Sequence, residues 1–473
     1  MRKPLVLVLT LLGLLAAAAP SAHALGVDWV MPNRLSPAIE ESWASNPYGL
    51  PTASYVDPPS WKVELLLTDA SGKPTCPNFN RHFIWTVSGE GVTENPGRPP
   101  TGPGSGSGVN CRPTATVPKL GVYHVTATEY TDQLNAKGEY VATGNVYRNE
   151  RVIVRDWLIV GLGDSNASGE GNPNEDGGPA WLFAQCDRSP RAYQNLVADY
   201  IGRTDPRTSV TFVPAGCSGA KIENLFSSPY EGIQPKLGPP LPPQIFQVRS
   251  VIGARRPDAV IVSIGINNIA FSPLLKYCIE QQVRLATKRC ETQRVDPSRS
   301  RSGEVTGYAT GSGATLEEQT AADIHALPSL YRSLATPLAS LHSAHVFITE
   351  YPDIATEERG TTCDPDVGPF PHFFSSTWGW LDRTGAALNA QVRATSALGW
   401  TPVTGIPEAF VGHGYCSSQS WFLPVERALR IGDKDGSFHA IFPGQYASAR
   451  PTARSVCSAL YGNPKCHGLP PAP

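Results

Sequence analysis

The chain has 473 residues, of which 45 are Pro, 44 Gly and 10 Cys, so roughly a fifth is turn-former and two domains fit better than one. Charged residues make up 17% and hydrophobic ones 41%, which excludes disordered, collagen-like and coiled-coil chains and leaves enough apolar side chain for real cores. The formal net charge of -2, which becomes -4 if Arg2 and Lys3 leave with a leader, offers nothing to attract nucleic acid or an anionic membrane.

Residues 1–24 read as a secretory signal: two cations, an apolar run from Leu5 to Leu15, an alanine stretch and the small-x-small triplet Ala22-His23-Ala24. The mature, extracellular protein is then expected to begin at Leu25. The rival reading, an uncleaved anchor, fails on length, because a bilayer demands roughly 20 apolar residues. No later segment could span. Ten cysteines survive cleavage, an even count in a chain bound for an oxidising compartment, and there is no Cys-x-x-Cys, so disulfides are expected rather than metal or redox chemistry. Pairing in order along the chain is the expectation: Cys76 with Cys111, Cys186 with Cys217, Cys278 with Cys290, Cys363 with Cys416, and Cys457 with Cys466.

From Trp61 to about Asp156 the pattern is one of strands (Val63–Leu67, Phe83–Val87, Val122–Ala127 and Arg151–Val154) separated by Gly, Pro and Asn turns, with a Gly/Pro/Ser-rich loop over Pro96–Gly108. The run Gly121-Val122-Tyr123-His124-Val125 resembles the late strand of immunoglobulin-like and polycystic-kidney-disease-type sandwiches, in which a tyrosine ties a corner. That resemblance implies an all-β sandwich over residues 25–155. The cysteine that follows this tyrosine by two residues in antibody domains is absent, since Val125 stands there, so a bond from Cys76 to Cys111 would be of another kind.

After Asp156, apolar strands alternate with helical stretches. The strands are Trp157–Val160, Val210–Val213, Ala259–Ile264 and His345–Thr349. The helices are Ala192–Ile201, the long stretch Leu316–Leu341, and a last amphipathic helix through Leu388 and Val392 that stops at Gly399. Such alternation predicts a parallel sheet covered on both faces by helices over residues 156–473. Thr315-x-x-Glu318 matches a capping box, Pro328 is expected to break or kink the helix, and Glu291–Ala314 is expected to be a surface loop.

The segment from Ile159 to Gly171 is a buried strand ending abruptly in small and polar residues, with Ser165 at the carboxyl end, where parallel sheets bind ligands. Alone it reads as a capping serine. Two further strands end in Gly-rich or Asn-rich turns, Ala215–Ala220 and Ser263–Phe271, and His439 stands in a fourth such segment, Gly436–Gln445. A histidine, an asparagine and glycine amides would thus converge on Ser165 from separate strand ends. Here the chain resembles the SGNH (GDSL-type) hydrolases, whose four blocks carry serine, glycine, asparagine and histidine in this order. Gly163-Asp164-Ser165 matches the first block, Gly219 the second, Gly265-x-Asn267 the third and His439 the fourth. The likeness is greatest to the secreted actinobacterial lipase and esterase branch, whose Cys-x-Arg-Ser segment Cys186-Asp187-Arg188-Ser189 resembles, and it extends over roughly Trp157 to Ala447.

The resemblance implies a three-layer α/β/α domain with a flavodoxin-like parallel sheet, in which Ser165 attacks an ester carbonyl and His439 exchanges the proton. The N–H groups of Ser165 and Gly219 and the Asn267 amide would form the oxyanion hole, with no metal or other cofactor. Two departures stand out. Asn268 replaces the usual aspartate of the third block, and the family's acid position is Gly436. Either Asp435, one residue earlier, reaches His439, or a backbone carbonyl, that of Gly436 in preference, orients the imidazole.

The competing α/β-hydrolase elbow Gly-x-Ser-x-Gly fails at Ala167 and at Ala220, which disfavours Ser218 as nucleophile. His342-x-x-His345 lacks a third metal ligand, Asn172-x-Asn174-x-Asp176-Gly177 lacks the acidic twelfth position of a calcium loop, Asn166-Ala167-Ser168 fits a glycosylation sequon only in composition, and His413 reads as structural. The expected protein is therefore a monomeric, secreted carboxylic ester hydrolase acting on an ester or lipid. The alternative is an inactive protein of the same fold that binds a polymer or cell surface through its β-domain.

Overall fold

The computed structural model describes residues 25–35, 47–76, 81–94, 111–173, 181–285, 289–300, 303–364 and 368–469. Residues 1–24, Pro96–Gly108 and Asn174–Gly177 lie outside them. No helix among the described residues is long and apolar enough to cross a membrane. The chain divides into two compact units. One holds the described residues up to Val30 and Ser60–Val154; the other holds Met31–Pro59 and Arg155 onward.

The first unit contains two antiparallel sheets. In one, β1 (Gly26–Val30) pairs with β2 (Trp61–Thr68) and β2 with β5 (Thr114–Val117). In the other the order is β4 (Val92–Glu94), β3 (Arg81–Gly89), β6 (Gly121–Leu134) and β7 (Tyr140–Gly163). Alternate side chains are buried, with Val63, Leu65 and Leu67 on one sheet and Phe83, Trp85, Tyr123 and Val125 on the other, so each sheet has a dry face. The Tyr123 hydroxyl donates to the Lys119 carbonyl at 2.9 Å.

The second unit is built on a parallel sheet in the order β8 (Thr208–Pro214), the end of β7, β9 (Ala259–Ser263), β12 (His345–Thr349) and β13 (Thr401–Val403). Its strands are apolar throughout because both faces are covered. Ile159, Phe212, Ile261 and Phe347 pack with Tyr193 and Val197 of helix Tyr193–Thr204 and with Ala449 and Ala453 of helix Phe442–Tyr461. Leu158, Val160, Val213, Val260 and Ile348 pack on the opposite side with Val248 of helix Gln244–Ile252 and with Leu327 and Leu334 of helix Leu316–Ala339. Two cores separated by one sheet make three layers. Met31–Pro59, which the sequence reading places with the β-domain, adds Leu50 and Val56 to the second core. It also supplies Arg34, which with Arg255 pairs with the buried Asp156 carboxylate at 3.4 and 2.9 Å.

Several local expectations are corrected. Arg151–Val154 and Trp157–Val160 are not separate strands but parts of β7. Helix Leu316–Ala339 runs without interruption through Pro328 and Pro337, since tertiary packing of Leu327, Tyr331 and Leu334 outweighs the loss of backbone bonds. Its capping box is present, with Thr315 N–H donating to Glu318 Oε2 and Glu318 N–H to Thr315 Oγ1. Glu291–Ala314 is largely a hairpin of β10 (Arg294–Arg299) and β11 (Val305–Thr315) rather than a loop. The helix ending before Gly399 is not the last, because Phe442–Tyr461 follows. His342 lies in a left-handed turn and His345 in β12, so they share no helical face. Five disulfides join Cys76–Cys111, Cys186–Cys217, Cys278–Cys290, Cys363–Cys416 and Cys457–Cys466, each pair being neighbours in sequence.

Candidate active site

The carboxyl end of β7 turns sharply at Gly163, whose φ of +134° and closeness to Ser263 O leave no room for a side chain: a Cβ would sit 2.0 Å from that oxygen. The turn is pinned from the side by Gln244, which accepts from Gly163 N–H at 2.8 Å and donates to Gly163 O at 2.7 Å. Asp164 caps the short helix Ser165–Ser168 by accepting from Asn166 N–H at 3.1 Å. Its other oxygen accepts from the Tyr351 hydroxyl, which also takes the Ile266 N–H at 3.2 Å and so links the first and third turns. Burial pushes the Asp164 carboxyl up to about 7 against the opposing effect of these bonds. Ser165 stands first in the helix, almost wholly buried, at the floor of a cleft.

Asn267 reaches the same cleft from the turn Ile266–Ile269 after β9, with its Nδ2 donating to Ala220 O at 3.0 Å. That bond ties it to the turn that carries Gly219, a left-handed residue at φ +82° whose Cβ would meet the Tyr230 hydroxyl at 2.1 Å. Asn268 points elsewhere. Its Oδ1 accepts from Ile222 N–H at 3.0 Å and its Nδ2 donates to Glu223 Oε2 at 2.8 Å. An aspartate could make the first bond but would set a second negative charge against Glu223.

His439 arrives from the loop between the turn Lys434–Gly436 and helix Phe442–Tyr461. The loop is braced by bonds from Phe438 N–H to Leu423 O at 3.0 Å and from Leu423 N–H to His439 O at 2.8 Å. The ring is open to the cleft and enclosed elsewhere, and burial pulls its pKa down to about 4, opposed by the carbonyls of Ser437, Asp435 and Gly436. None of these carbonyls makes a hydrogen bond of normal geometry with Nδ1, and no carboxylate is among the groups that favour the charged ring. Asp435 turns to Gln234, whose Nε2 donates to its Oδ2 at 3.4 Å, and it lines a different depression beside Asp187.

Ser165, Asn267 and His439 therefore share one cleft, while the Asp435 carboxylate is engaged outside it. Much of the cleft's remaining wall is apolar, formed by Phe271, Leu275, Ile354, Leu381, Leu388 and Phe438 and interrupted by Ser272, Thr384 and Ser437. A hydroxyl, an imidazole and an amide donor beside a greasy wall suit acyl transfer to a nucleophile.

No family model matches the chain, and neither does any curated protein. Among solved structures the chain is similar to an extracellular lipase from Streptomyces rimosus, with 20% identity over 64% of this chain and 100% of that one and a TM-score of 0.38. It is also similar to phospholipase A1 from Streptomyces albidoflavus NA297, with 19% identity over 63% and 98% and a TM-score of 0.37. A third is an acetyl xylan esterase from Geobacillus stearothermophilus, with 15% identity over 64% and 96% and a TM-score of 0.32.

The sequence reading missed Tyr351. It lies two residues past the end of β12, so the rule that ligands sit at the carboxyl ends of parallel strands was a signal for it. It also passed over Glu170, Asp187 and Asp433, which are scattered along the chain and meet only in the fold. The remaining candidates stay apart from the cleft. Ser218 gives its carbonyl to the Tyr230 hydroxyl at 2.8 Å, and His413 stacks on Trp421 with ring centroids 3.7 Å apart, a structural place.

Proposed function

We propose that the chain is a secreted serine esterase or lipase of the SGNH type. The observation that carries this reading is the meeting of Ser165, Asn267 and His439 in one apolar-walled cleft at the carboxyl ends of β7 and β9. Ser165 Oγ attacks the ester carbonyl as His439 Nε2 takes its proton, and the imidazolium returns a proton to the leaving alcohol. The oxyanion is met by the N–H groups of Ser165 and Gly219 and by Asn267 Nδ2, each donor lowering the barrier by about 3 kcal/mol. The carbonyls of Ser437, Asp435 and Gly436, rather than the Asp435 carboxylate, are the groups that favour the charged ring. The apolar wall receives the acyl chain. The corner bond of Tyr123 supports an immunoglobulin-like identity for the first unit, and five disulfides together with the leader-like residues 1–24 support an extracellular protein.

A fluorophosphonate probe tests the proposal directly. Folded protein is expected to carry one adduct, mapped by mass spectrometry to Ser165 and abolished in Ser165→Ala, and to cleave p-nitrophenyl esters. Absence of both adduct and turnover would leave the inactive binding protein as the better reading.

A further inference from the structure

Outside the cleft, three carboxylates come together, two of them lining a separate depression. Glu170, Asp187 and Asp433 each place an oxygen within 4.8 Å of the others, and all three residues are buried, Glu170 completely. Both Glu170 oxygens, Asp187 Oδ1 and Asp433 Oδ2 lack a hydrogen-bond partner among the described residues. The Ser218 hydroxyl is close enough to ease the Glu170 charge without making a bond of normal geometry. Of the two cations adjacent in sequence, Arg188 is committed to the carbonyls of Gly216, Tyr48 and Gly49, and Lys434 is exposed at the rim of the depression that Asp187 and Asp433 line. Among the described residues no ion pair includes any of the three acids. Three buried carboxylates that repel one another, with no ion pair among the described residues, are strongly unfavourable unless a counter-ion joins them or protons neutralise them.

We infer that Glu170, Asp187 and Asp433 form a calcium site. Three oxygens so spaced can be touched together by one ion at the calcium–oxygen distance of about 2.3–2.6 Å. Hard carboxylate oxygens exclude a preference for soft metals, and a buried set of protein ligands suits calcium better than magnesium, which keeps several waters. The site sits where the three working segments meet. Glu170 follows the Ser165 helix, with its N–H donating to Ser165 O at 3.0 Å. Asp187 adjoins Cys186, whose disulfide to Cys217 leads into the Gly219 turn. Asp433 caps the turn before the histidine by accepting from Gly436 N–H at 3.2 Å, and Gly171 lies so close to His439 that a Cβ there would stand 2.7 Å from the histidine Cβ. One ion would thus tie the serine, oxyanion and histidine segments together. The three carboxylates make no hydrogen bond to the Ser165 hydroxyl or the His439 ring, so the ion's occupancy does not depend on the hydrolytic reading.

The test is equilibrium dialysis of the EGTA-stripped full chain against radioactive calcium, with excess magnesium present, beside thermal melts with and without 1 mM calcium. One calcium per chain is expected, with a melting temperature several degrees higher in calcium, and Ser165→Ala is expected to bind as wild type does. Glu170→Gln and Asp433→Asn are each expected to lose the ion, by at least tenfold in affinity, and the melting response. The inference falls if wild-type protein retains no calcium, as protons shared among the three carboxyls would predict, or if both variants bind it as wild type does. The wild-type stoichiometry decides even where a variant does not fold.

Discussion

The imidazole of His439 lies among carbonyls, and this sets two expectations at the scale of the residue. A true triad carboxylate is worth about 10⁴ in turnover, whereas Asp435 is bonded to Gln234 and stands outside the cleft. Asp435→Asn is therefore expected to change kcat on a soluble ester by less than about tenfold; a loss near 10⁴ would make it the acid after all. The second concerns pH. His439 works as a base only when neutral, and burial has pulled its pKa to about 4. Activity should hold as pH falls through 6 and fail only near pH 4, where the ring becomes charged. A kcat/KM profile with its acid limb at the ordinary histidine value near 6.5 would contradict this placement.

At the scale of elements, the cleft depends on turns that hold one another by side-chain amides. Asn268 links the turn after β9 to helix Ile222–Phe226 through Ile222 N–H and Glu223. Asn268→Asp keeps the acceptor and replaces the donor to Glu223 with a like charge, so a loss of about 1–2 kcal/mol is expected at neutral pH. Urea denaturation of the variant beside wild type at pH 7 measures it. An unchanged midpoint at pH 7 would show that the Glu223 contact contributes nothing. The helix Leu316–Ala339 carries the complementary lesson. Its start was legible in Thr315 and Glu318, because a capping box is local chemistry. Its passage through Pro328 was not, because that is decided by what Leu327 and Tyr331 pack against.

For the whole molecule, the second unit is discontinuous in sequence. Leu50 and Val56 fill its core and Arg34 neutralises part of Asp156, yet all three come from before the first unit's second strand. A fragment cut at Arg155, where the sequence alone suggests a boundary, is expected to be markedly less stable than the full chain, as the removal of two buried aliphatic side chains costs several kcal/mol. The half-life of ester hydrolysis at raised temperature compares them. Equal half-lives would mean that Met31–Pro59 is dispensable.

The apolar strands β8, β9 and β12, the alternation that builds a doubly covered sheet, and the serine, asparagine and histidine of the cleft were legible in sequence, because each is marked by a short local pattern of apolar runs and small turn residues. Asn268, too, announced itself as a departure. The tertiary structure alone decided where Asp435 points, what Asn268 bonds to, that residues 31–59 complete the second core, and that Glu170, Asp187 and Asp433 meet. Local sequence records the conformations a few neighbouring residues prefer. It holds no record that Asp433, far along the chain from Glu170 and Asp187, is buried with them once apolar faces have paired, and that pairing sets the local electrostatics.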